Sequence, residues 1–130
     1  LLASASIEQY LDEGLVSART LTDYLFDRME AHGLKRADVV RASGLNATVV
    51  YDIFSGKSRP GRDHAIMLAF GLKCTLRETQ RLLRLAGVSE LWCKQRRDAI
   101  IIWCIRNGFD RIATDDELYR MGEATLLPAD

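Results

Sequence analysis

The feature that most constrains this chain is a short break, Gly44-Leu45-Asn46, set between two helical stripes. Glycine tolerates the left-handed backbone that a tight turn requires. Leucine can plug the angle between two helices, and asparagine is a strong helix N-cap. Upstream, a helix is expected from about Lys35 to Ser43, with Val39, Val40 and Ala42 as its apolar surface. Downstream, the helix capped by Asn46 buries Val50 and Ile53, with Val49 or Phe54, and stops at Ser55-Gly56. Val40, Val50 and Ile53 then fall where they can pack the two helices together.

The same helical spacing recurs along the chain, and no segment alternates as a strand would. Ile7, Tyr10 and Leu11 form a short stripe ended by Gly14. Leu21, Tyr24, Leu25 and Met29 form a longer one, with Thr20 as its cap and Gly33 as its stop. Pro60 fits a first-turn proline, ahead of an apolar run from Ala65 to Phe70 that Gly71 should end. Thr75 and Glu78 have capping-box spacing for a helix reaching Gly87. Its apolar face is Leu76, Leu83 and Ala86, and Arg77, Arg81 and Arg84 form its opposite, solvated side. The longest helix is expected from about Glu90 to Asn107. Its Ala99–Ile105 stretch is apolar all round, so it is either enclosed or shared with a partner. Thr114 and Glu117 suggest a second capping box, opening a last helix with Leu118 and Met121. The expected fold class is therefore all-α.

A length of 130 residues suits one domain with a real core, and 48% hydrophobic residues excludes a disordered chain. No apolar run is long enough to span a membrane, and nothing at the start reads as a signal peptide. Cys74, Cys93 and Cys104 are odd in number and lack a C-x-x-C pair. A reducing, cytoplasmic setting is expected, with each cysteine a small buried side chain. His32 and His64 have no cysteine or second histidine at ligand spacing, so no metal site and no cofactor is expected. The zero net charge conceals an asymmetry: residues 1–30 carry −4, residues 31–97 carry +8, and residues 98–130 carry −4. A basic middle is what contact with phosphates needs.

With Val50 and Ile53 buried, the second helix exposes Asn46, Ala47, Thr48, Tyr51, Asp52 and Ser55. In a helix-turn-helix, such positions meet base edges in the major groove. Residues 21–87 resemble the Cro and phage-repressor type of helix-turn-helix domain, the XRE type. The resemblance rests on Leu34, Val39-Val40, Gly44-Leu45, Val50, and the loop with Gly56, Lys57, Arg59 and Pro60. It implies a lambda-repressor-like five-helix domain that binds double-stranded DNA as a dimer and regulates bacterial transcription. An N-terminal helical arm over 1–20 would precede it. A helical extension over 88–130 would pack on it, similar to that of a smaller group of XRE-like bacterial proteins. By motif position, Asn46, Ala47, Thr48, Tyr51 and Asp52 would face bases, while Arg36, Lys57, Ser58, Arg59 and Arg62 would hold phosphates. Val40 departs from the small residue usual at its place. Asp52 departs too: it either accepts from cytosine N4 or pairs with Arg59.

No nucleophile elbow, phosphate-cradling glycine loop or zincin helix is present, so no enzyme is expected. The carboxylates Asp115, Asp116 and Glu117 are explained by capping and the helix dipole. Trp92 and Trp103 share a helical face suited to core or dimer packing better than to a ligand box. The competing function is a protein-interaction adaptor that meets its partner through the Ala99–Ile105 helix, with Ile101 and Ile105 as contacts.

Overall fold

The computed structural model describes residues 21–128. The expected arm with Ile7, Tyr10, Leu11 and Gly14, and the Thr20 cap, lies outside the described residues. Within them the fold is all-α, with no strand. Helix α1 covers 21–31 of the described residues. It is followed by α2 (Arg36–Ser43), α3 (Ala47–Phe54), α4 (Arg62–Gly71), α5 (Leu76–Leu85), α6 (Arg96–Arg106) and α7 (Arg111–Arg120).

Helix α4 is the centre of the molecule. Ala65, Ile66, Met67, Leu68 and Ala69 are all buried in succession, so every face of this helix meets another element: α2, α5 and α7 pack against it. Its close approach to α2 depends on Gly71. A Cβ there would stand 2.8 Å from the Val39 carbonyl oxygen and 2.9 Å from the Ser43 Cβ. Gly71 therefore does not stop the helix, as its type suggested. The stop falls beyond it, where Lys73 takes a left-handed φ of 56°. Pro60 also differs from expectation: Gly61 is the N-cap of α4, and the proline lies buried one residue ahead of it.

Helix α3 is short and rich in β-branched residues, which disfavour helix by propensity alone. Its ends and its packing hold it. The Asn46 side chain accepts from the Thr48 amide at 2.8 Å. At the other end, the Lys57 amide donates to the Asp52 carbonyl and the Gly56 amide to the Ile53 carbonyl, a Schellman closure. Val50, Ile53 and Phe54 are buried, and the Phe54 ring meets Phe26 of α1 edge to face at 5.2 Å. Between α2 and α3, Gly44 has φ 78° and Leu45 is buried, filling the angle as expected. On α2 it is Val39 that is fully buried; Val40 is half-buried against the core.

The C-terminal half differs most from expectation. Residues 88–95 are not helical. The Gln80 side chain instead binds both the amide and the carbonyl of Leu91, at 2.7 and 2.8 Å, and so fixes this stretch as a loop. Helix α6 then starts at Arg96. It is not enclosed: Ile101 and Cys104 are buried, whereas Trp103 is 52% exposed. Thr114 caps nothing. Helix α7 opens at Asp110, whose carboxylate accepts from the Ala113 amide, and Thr114 and Asp115 lie buried within it. One apolar core runs from Leu21 to Leu126 without a gap at residue 88. No described helix is long and apolar enough to cross a membrane.

Candidate nucleic-acid interface

Packing of Val50, Ile53 and Phe54 leaves one face of α3 outward. Asn46, Ala47, Thr48, Tyr51 and Ser55 are exposed and Asp52 is half-buried. The five residues expected to face bases thus share one surface. Beside it, the Arg36 guanidinium at the start of α2 sits over the Tyr51 ring, 5.2 Å from its centroid. This cation–π contact joins a residue expected at phosphates to one expected at bases.

Residues 55–59 are exposed. The Schellman closure holds this loop, since the Lys57 and Ser58 amides both donate to the Asp52 carbonyl, at 2.9 and 3.2 Å. Lys57 and Arg59 make no ion pair among the described residues. Arg59 makes only a long 3.4 Å contact with the Leu85 carbonyl. Asp52 does not pair with Arg59 or with any other described residue. Its backbone carbonyl closes the loop.

Arg62, expected at phosphates, is instead paired within the fold. Its guanidinium donates to Asp98 through both terminal nitrogens, at 3.0 and 2.6 Å, and also to the Ser89 and Glu90 carbonyls at 3.0 Å. Four of the five N–H donors of this guanidinium are so engaged, and its charge is paired with Asp98. It clasps the start of α4 to the 88–95 loop and to α6. Burial alone would raise Asp98, but the Arg62 guanidinium and the Trp92 amide more than offset this and hold it below the usual carboxylate range. The sequence carried no sign of this pair, because its partners stand 36 residues apart. Asp63, next to Arg62, makes the reverse pair with Arg97, at 3.0 and 3.1 Å.

Asn46 is also more constrained than its residue type implied. Its Oδ1 serves the Thr48 cap. A bidentate pairing with adenine would have to share that oxygen.

Arg96, Arg97, Arg111 and Arg120 of α6 and α7 each pair with a carboxylate, as do Arg28 with Glu78 and Arg41 with Asp38. Arg36, Lys57 and Arg59, beside the outer face of α3, have no such partner among the described residues, and neither do Lys35, Lys73, Arg77, Arg81, Lys94 and Arg106. Arg77 and Arg81 on α5 are exposed as expected, and Arg84 pairs with Glu90. All three cysteines are free, but only Cys104 is fully buried; Cys93 is exposed. No cluster of three or more metal-ligating side chains occurs among the described residues. Compared with protein-family models, curated proteins and solved structures, the chain matches none of them.

Proposed function

We propose that the chain is a sequence-specific DNA-binding transcription regulator. In this reading α1–α5 form a lambda-repressor-like five-helix domain, and α2 and α3 form its helix-turn-helix. One observation carries it: the outward face of α3 is flanked by Arg36, Lys57 and Arg59, which lack carboxylate partners, whereas on α6 and α7 Arg96, Arg97, Arg111 and Arg120 are paired within the fold and Arg106 alone is not. Phosphate contact supplies most of the affinity for DNA and needs only positive charge on a firm backbone. Thr48, Tyr51 and Asp52 are the reading residues, with Asp52 suited to cytosine N4. Asn46 and Ala47 border them. Arg36, Lys57, Ser58 and Arg59 hold the backbone, and Arg62 is removed from that set. A dimer would place two such faces about 34 Å apart on one side of the duplex.

The test is DNA binding read at several salt concentrations. Lys57→Ala and Arg59→Ala should each weaken binding to every duplex sequence and flatten the salt dependence by about one unit of slope. Asp52→Ala should instead alter which sequences are selected from random duplex DNA. Unchanged affinity and slope in both loop variants would remove the loop from the interface.

A second reading is supported by a different surface. Ile100, Trp103 and Met121 line a groove between α6 and α7, and Trp103 is 52% exposed. This suits a protein partner or a second copy. The contacts would be Ile100 and Trp103 rather than Ile101, which is buried, or Ile105, which packs on the core. Trp103→Glu should abolish such an association while leaving the loop variants' effect on DNA unchanged.

A further inference from the structure

A cavity of about 360 Å³ opens where α2, the end of α4 and the α6–α7 turn converge. That volume lies at the lower end of the range for small-molecule pockets, about 300–1,000 Å³. Its apolar wall is Phe70, Ile105, Phe109 and Ile112. Cys74 adds to this wall as a neutral thiol, since burial pushes its pKa up to about 12. The polar wall has three cations, Arg41, Lys73 and Arg111, against one carboxylate, Asp110. Asp110 is engaged as the N-cap of α7, Arg41 pairs with Asp38, and Arg111 pairs with Asp115 through one terminal nitrogen.

Two further details belong to residues of this wall, the first of them shared with the buried Nε of Arg28 elsewhere in the fold. The buried Nε of Arg111 has no hydrogen-bond acceptor among the described residues. Lys73 makes no ion pair among them either, and it holds a φ of 56° that a residue with a side chain rarely adopts. Lys73 holds the left-handed place of a Schellman closure, in which the Cys74 amide donates to the Ala69 carbonyl and the Lys73 amide to the Phe70 carbonyl. Glycine is usual at that place, yet a cation stands there.

We propose that this cavity binds a small organic anion, a carboxylate with a compact apolar body, its head on Lys73 and the Arg41–Arg111 wall and its body against Phe70 and Phe109. The inference does not depend on DNA binding, because the cavity lies behind α2 and does not include α3.

The test uses 3-phenylpropionate as probe and 3-phenylpropan-1-ol as its uncharged counterpart, followed by calorimetry and by tryptophan fluorescence. Trp103 meets Phe109 edge to face at 5.2 Å, so occupation of the cavity should alter its emission. The carboxylate should bind saturably and at least tenfold more tightly than the alcohol. Lys73→Gly should weaken it about tenfold while melting no lower than the parent, because glycine fits the left-handed backbone. Lys73→Asn, which also tolerates that backbone, should weaken it similarly, and Lys73→Arg should retain it. Equal binding of acid and alcohol, undiminished binding by Lys73→Gly and Lys73→Asn, or no saturable binding in the millimolar range would each overturn the proposal.

Discussion

Gly71 has an ordinary backbone conformation, yet it has almost no room for a side chain. The atoms facing it are the Val39 carbonyl and the Ser43 amide and Cβ, none of which lies at the end of a flexible chain. Gly71→Ala should therefore push α2 away from α4 and cost about 2–3 kcal/mol, the upper part of the range for overpacking. Urea denaturation should show it as a lower midpoint with unchanged slope. The sequence marked Gly71 only as a helix stop, because a contact between residues more than 25 positions apart leaves no local pattern. Gly44 was legible, since a left-handed residue between two apolar stripes is a local requirement. Arg62 illustrates the same limit in a charged residue: its type and place suited a phosphate, and its partner Asp98 was visible only in three dimensions.

Among the elements, α7 shows most clearly how a cap pattern can mislead. Thr114 and Glu117 have capping-box spacing, but the helix already begins at Asp110, and Asp115 turns inward. Its two oxygens accept from the Leu126 and Leu127 amides at 2.6 and 3.1 Å, and from Arg111 at 2.7 Å. This carboxylate therefore fastens the chain after α7 back onto the core, where Leu126 is buried. Asp115→Ala should leave two buried amides and a buried guanidinium unpaired and cost about 3–5 kcal/mol. Hydrogen exchange at Leu126 and Leu127 should rise together with it. Asp116→Ala, at an exposed neighbour, should stay within about 0.5 kcal/mol; equal effects from the two would restore a shared dipole role. By contrast, α5 opens as its sequence indicated, with Thr75 and Glu78 exchanging backbone hydrogen bonds.

At the scale of the whole molecule, the elements are tied together by carboxylates held below their usual range. Glu78 of α5 meets Arg28 of α1 and His32 in the turn after it, and Asp98 of α6 meets Arg62 of α4. At both, burial acts to raise the pKa, and hydrogen bonds and neighbouring guanidinium groups more than reverse it. A carboxylate whose folded pKa lies below its unfolded value binds fewer protons in the folded state. Its stabilisation is present above the unfolded pKa, about 4, and is lost as pH falls through the folded value. The melting temperature should hold above about pH 5 and fall steeply below pH 4. Asp98→Asn should start lower at neutral pH and fall less steeply in acid. A parallel fall in the two proteins would show that the Arg62–Asp98 pair does not govern acid stability.

The sequence by itself determined the helical class, the turn at Gly44-Leu45, the caps at Asn46 and Thr75, and the apolar side of α3. These depend on residues within one or two helical turns of each other, whose spacing the chain displays directly. Only the tertiary structure decided that α4 rather than α6 is enclosed, that residues 88–95 form a loop, and that Arg62 and Asp115 serve as clasps. Each of these was settled by partners distant in the chain, because burial and ion pairing depend on what the folded molecule brings together. The outward face of α3 belongs to both: its residues were legible from their period, and the charges that flank it were sorted by the pairs formed elsewhere.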